Sequence, residues 1–123
     1  LWAFAGRLKR APRAMSEALA AVEALAWPVR EVVLVVPPGG DAGPMRRVLQ
    51  TTWQPHRVVI TVPAGSPEAA RGGALAKLTP LIHAKVARRA KPTAYVCVEG
   101  ACRLPTTDPA TLRKQLLTPM DPR

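Results

Sequence analysis

An α/β fold is what this sequence predicts: a helical hairpin, then a small, mainly parallel sheet built on a βαβ unit, closed by a C-terminal β-hairpin and a terminal helix. Three observations carry the prediction. Two valine-rich runs, residues 31–36 and 57–62, flank a stretch whose apolar residues recur at helical spacing. An Ala-rich, helix-periodic segment precedes them. A Glu99-Gly100 pair between two short apolar runs, followed by Asp108-Pro109 and spaced leucines, closes the chain.

In residues 1–27, Met15, Leu19, Val22 and Ala26 recur at helical spacing, with Ala18 and Leu25 beside them. Pro12 separates a short first helix from this second one, and Pro28 ends it. Helices this short are marginal alone, so the pair is expected to pack on something. Residues 28–123 form the second unit. The run Glu31-Val32-Val33-Leu34-Val35-Val36 reads as a strand buried on both faces, and Arg57-Val58-Val59-Ile60-Thr61-Val62 as a second of the same type. Between them, Asp41 is positioned to cap a helix reaching about Trp53, with Met45, Val48, Leu49 and Thr52 inward. Residues 65–73 read as a polar loop, and a short helix follows with Leu75, Leu78, Leu81 and Ile82 apolar. Asp108 at the N-cap and Pro109 at the first helical position start the last helix, whose Leu112, Leu116 and Leu117 should face the sheet. Residues 118–123 read as a loose tail.

With 123 residues and 48% hydrophobic content, the chain can build one small core. No apolar run approaches the roughly 20 residues that span a membrane. The chain opens at Leu1 rather than Met, without a basic-then-apolar leader. A piece of something longer is therefore expected, in a cytoplasmic setting.

Lys and Arg number 18 against 8 acidic residues, a net charge of +10. Such a surplus attracts anions, nucleic acid included. Arg46 and Arg47, with Lys85, Arg88, Arg89 and Lys91, are the candidate anion-binding surface. No aromatic residues interleave with them to stack on bases, which weighs against a single-strand binder.

If Glu99 and Gly100 form the turn, Cys97 faces Cys102 as a non-hydrogen-bonded pair, close enough for a disulfide. Tyr95 and Leu104 would share that face. One reading is a redox-responsive pair. The plainer one is two small hydrophobes kept reduced in a cytosol, which the missing leader favours. No Lys or His adjoins them in sequence to favour a thiolate.

His56 and His83 stand at no zinc-finger spacing from the cysteines, so no metal is implied. The Pro37-Pro38-Gly39-Gly40 loop matches neither a P-loop nor a dinucleotide fingerprint, and its prolines remove amide donors. Ser16 and Ser66 lack a nucleophile-elbow context. The chain offers no complete catalytic set and no cofactor site.

Thr93-Ala94-Tyr95-Val96-Cys97 through Cys102, then Pro105-Thr106-Thr107-Asp108-Pro109, resembles the end of the thioredoxin-domain-containing proteins related to spermatogenesis-associated protein. Phe4-Ala5-Gly6-Arg7-Leu8 with Ala11-Pro12 is similar to that family's last barrel helices, and residues 28–36 to the strand after them. The resemblance implies a thioredoxin-like domain joined to an (α/α) six-hairpin barrel of the N-acylglucosamine 2-epimerase kind. Residues 1–27 would close that barrel and residues 28–123 would be an appended, non-catalytic α/β piece. Its partner would be the N-terminal part of its own protein, and any sugar-directed or redox activity would reside there. Arg88-Arg89-Ala90-Lys91 and the Pro/Gly-rich loop at 37–44 depart from the family's pattern.

Overall fold

The computed structural model describes residues 2–67 and 73–120. The chain begins with a 3-10 turn at Trp2–Phe4 and helix α1 at Ala5–Arg10. Pro12 opens a second 3-10 turn, Pro12–Met15, which leads into α2 at Ser16–Ala26. No residue of α1 or α2 is buried. The side formed by Met15, Ala18, Val22 and Ala26 is half-buried, while Trp2 is 94% exposed and Phe4 50%.

Strand β1 (Arg30–Val36), helix α3 (Gly43–Thr51) and strand β2 (Arg57–Pro63) form the βαβ unit, and β1 pairs with β2 in parallel. Asp41 Oδ1 accepts from Gly43 N at 2.8 Å and so steadies the entry to α3. Gly40 N donates to Pro37 O at 3.0 Å with Gly39 at φ 70°, a turn that glycine allows. Most of the expected polar loop, residues 68–72, lies outside the described residues, and α4 follows at Ala74–Leu78. Pro80 then tightens the chain into a 3-10 turn, Pro80–Ile82. Strand β3 (Thr93–Val98) pairs antiparallel with β1 and with β4 (Ala101–Cys102). The sheet is therefore mixed, in the order β2-β1-β3-β4. Helix α5 (Pro109–Leu117) starts at the expected cap, where Asp108 Oδ2 accepts from Thr111 N at 2.8 Å.

Both sheet faces are covered. On one, Val32, Leu34, Ala94 and Val96 pack under Met45 and Leu49 of α3 and Leu112 and Leu116 of α5. On the other, Val33, Val35, Tyr95 and Cys97 pack against Ala76, Ile82 and Val62. Thus β1 is buried on both faces, as its unbroken apolar run requires.

Three expectations need correction. β2 is an edge strand with Val58 and Val59 exposed, because it has a neighbour on one side alone. Leu117 is 55% exposed: one position beyond Leu116 turns it about 100° around the helix, away from the sheet. The chain at Thr118 is not loose, because its carbonyl is held by Arg30; residues 121–123 lie outside the described residues. No helix among the described residues is long and apolar enough to cross a membrane.

Candidate functional site

The terminal hairpin turns as the sequence indicates. Glu99 (φ 50°) and Gly100 (φ 81°) both take the left-handed region, which a type I′ turn needs at its two central positions. This register sets Cys97 opposite Cys102, with Cα atoms 3.9 Å apart, and their sulfurs are bonded. The pair is not two reduced hydrophobes. Its two ends also differ: Cys97 is fully buried and Cys102 is exposed.

A cation stands beside the exposed sulfur. Lys85 Nζ lies 3.4 Å from Cys102 Sγ and 5.1 Å from the centre of the Tyr95 ring. Tyr95 fixes the backbone of the next residue, Val86. Its hydroxyl donates to Val86 O at 2.8 Å and accepts from Val86 N at 3.2 Å. Strand alternation explains why Tyr95 and Cys97 share a face. The ring and the hydrogen bonds then carry the irregular segment before β3 across the hairpin. The sequence contains no lysine next to either cysteine, and chain folding supplies one from 17 residues away.

A magnitude bears on the role of this bond. The cysteines are five residues apart, and closing so small a ring restrains the unfolded chain by only about 2 kcal/mol. As a staple it is among the weaker ones.

The remaining candidate cations divide into two places. Arg46 and Arg47 are exposed on α3. Arg88, Arg89 and Lys91 are exposed on the turn before β3, where Arg88 and Arg89 line a 260 Å³ hollow with Pro105, Thr106 and Thr107. Lys91 N donates to Arg88 O at 2.9 Å, and Arg89 and Ala90 both sit at φ 52°. The buried Thr93 hydroxyl secures the turn, accepting from Arg88 N at 2.8 Å and donating to Lys91 O at 2.9 Å.

Two arginines outside the candidate set are the better-anchored ones. Arg30 and Arg57 are register partners at the starts of β1 and β2. Arg57 donates to Leu49 O at 2.7 Å and Thr52 O at 2.8 Å, closing the C-terminus of α3. Arg30, 2% exposed, donates to Leu116 O, to Thr118 O at 2.6 Å and to Gln54 Oε1, closing α5. Positive charge at a helix C-terminus is favourable. Burial first, then the charges of Arg103 and Arg57, pull the Arg30 pKa below its ordinary value, but a guanidinium stays charged at physiological pH. Arg30 also forms part of a 290 Å³ hollow with Trp27, His56 and Leu117, near the contact of His56 Nε2 with Glu23 Oε1 at 3.3 Å. The donors of Arg30 are thus engaged with the helix end. Among the described residues no three His, Cys, Asp or Glu side chains come together as a metal cluster, and His83 lies apart on the segment after the 3-10 turn.

The site is thus a cross-strand disulfide, one sulfur in the core and one at the surface under an ammonium group, on a small α/β domain. No family model and no solved structure matches the chain. Over 117 residues, 94% of its length, it is 29% identical to human spermatogenesis-associated protein 20, and the match covers 14% of that protein. The chain therefore spans a small part of the relative it matches. That relative bears the name of the family which the terminal residues resemble.

Proposed function

We propose that this chain is a non-catalytic C-terminal region of a longer thioredoxin-domain protein with an epimerase-like helical barrel, and that its role there is structural. In this reading residues 1–27 are the last helices of the barrel, and the α/β body follows them in a cytoplasmic protein. The carrying observation is the pair α1 and α2, which buries no residue against the rest of the chain and leaves Trp2 and Phe4 exposed. Helices of this length do not hold in water without a surface to cover. The occupant of that surface is the preceding part of the same polypeptide, in keeping with a relative of which the match covers 14%.

The test is to supply the preceding part as a separate chain. Residues 1–123 should co-purify with it and residues 28–123 should not, with the amides of α1 and α2 gaining protection from hydrogen exchange. The two pieces should unfold at nearly the same temperature when alone, because the helices contribute little buried surface. Failure of residues 1–123 to associate would overturn the reading, as would epimerase or glycosidase activity in the isolated chain.

The net charge of +10 supports a second reading, a basic nucleic-acid-binding module. Binding that disappears between about 50 and 200 mM salt without sequence preference would reduce that reading to charge alone.

A further inference from the structure

We infer that the terminal hairpin is a reversible thiol–disulfide exchange site, at which a dithiol reductant attacks Cys102, Cys97 leaves into the core, and Lys85 holds the released Cys102 as a thiolate. The inference rests on the asymmetry of the bond and stands apart from the structural role proposed above.

An attacking thiolate must reach a sulfur along the line of the bond. Cys97 is fully buried beneath the segment that packs with Val33, Val35 and Ile82, whereas Cys102 is at the surface. Attack therefore falls on Cys102 Sγ. A bond forms between it and the reductant's sulfur, the Cys97–Cys102 bond breaks, and its electron pair leaves on Cys97 Sγ, which takes up a proton. The reductant's second thiolate then attacks its own sulfur in the mixed disulfide, and Cys102 departs as a thiolate. The dithiol loses two electrons and two protons. The protein gains both electrons and keeps one proton, on Cys97, while the other goes to solvent.

Lys85 gives the cycle its direction of reactivity. An ammonium group 3.4 Å from Cys102 Sγ stabilises the thiolate over the thiol, and thiolate is the nucleophile. The reduced site thus presents one reactive sulfur at its surface and one resolving sulfur behind it. Tyr95 is a positioning residue. Its hydroxyl holds Val86 by two hydrogen bonds, and its ring lies under the Lys85 ammonium group.

The whole chain, folded, is treated with dithiothreitol, and the thiols are trapped with iodoacetamide at a series of pH values and mapped by peptide mass. The expected result is opening of the bond without unfolding and a first adduct on Cys102. The alkylation rate of Cys102 should reach half its maximum at lower pH in the folded protein than in urea. Lys85→Met should raise that midpoint and slow the reaction at pH 7 about tenfold, leaving the rate above about pH 10 unchanged. Lys85→Arg should restore the profile, and Tyr95→Phe should shift it in the same direction as Lys85→Met but less. A bond that resists the dithiol until the protein unfolds would overturn the inference. So would a first adduct on Cys97, or equal midpoints in folded protein and in urea. The folded-against-urea comparison needs the unsubstituted chain alone, so it decides the matter even if Lys85→Met does not fold.

Discussion

Eighteen basic side chains are interchangeable on a composition count, yet their surroundings separate them sharply. Arg57 illustrates the difference. It satisfies two carbonyls that α3 leaves bare at its end, Leu49 O and Thr52 O. Arg57→Ala should lower stability by about 1.5–3 kcal/mol, the range for hydrogen bonds to charged groups, measured by urea denaturation. Arg57→Lys should recover only part of the loss, because an ammonium group lacks the planar fork. Equal stability of Arg57→Ala and the parent chain would show that solvent caps α3 as well as the guanidinium does. Asp108 gives the pH counterpart at the other kind of helix end. Hydrogen bonds from the Thr111 hydroxyl, then from its backbone N–H, hold the Asp108 carboxyl below the usual carboxylate range. A carboxylate with a depressed folded pKa contributes stability above its unfolded pKa and loses it as pH falls through the folded one. The urea midpoints of the parent chain and Asp108→Ala should therefore differ at pH 7 and converge below about pH 4. A gap that persists undiminished to pH 2 would mean that the ionised carboxylate is not what caps α5. The cap was legible, since Asp-Pro before spaced leucines has a local cause. The capping arginines were not, because their acceptors lie in other elements.

Elements were readable where their cause is local and misread where neighbours decide. The turn at residues 99–100 and the inward set Met45, Leu49 and Thr52 follow from nearby residues alone. The valine run of β2 looked like that of β1, but strand order is a property of topology, and β2 fell at the edge. Its ends blunt that edge with Arg57 and with Pro63, which has no N–H to offer a further strand. The site divides in the same way. The opposition of Cys97 and Cys102 follows from two-residue counting across a turn, whereas Lys85 arrives by the path of an irregular segment that no periodicity encodes. That segment carries its own cost. Arg89 and Ala90 both sit at φ 52°, a conformation that strains residues bearing a Cβ. Ala90→Gly should stabilise the protein by about 1 kcal/mol, seen as a higher urea midpoint. A lower midpoint would show that the loss of chain stiffness in the unfolded state outweighs the relief.

Across the whole molecule, helices α3 and α5 cover one sheet face and a thinner, irregular layer covers the other. The disulfide and Lys85 lie on the thinner side, the capping arginines on the helical one. The α/β class, the βαβ unit and the closing helix were all legible at this scale, whereas the division of labour between the two faces was not. The pairing of Arg30 with Arg57 across β1 and β2 has a further consequence. Parallel valine runs are nearly self-similar, so a slip by one residue would keep most apolar contacts in kind while reversing the face of every side chain. Such a slip would swing Arg57 to the opposite face and strand the carbonyls of Leu49 and Thr52. Each misalignment thus carries an electrostatic penalty that valines alone could not impose. The two arginines act as indexing pins, fixing which of several near-equivalent alignments the sheet adopts.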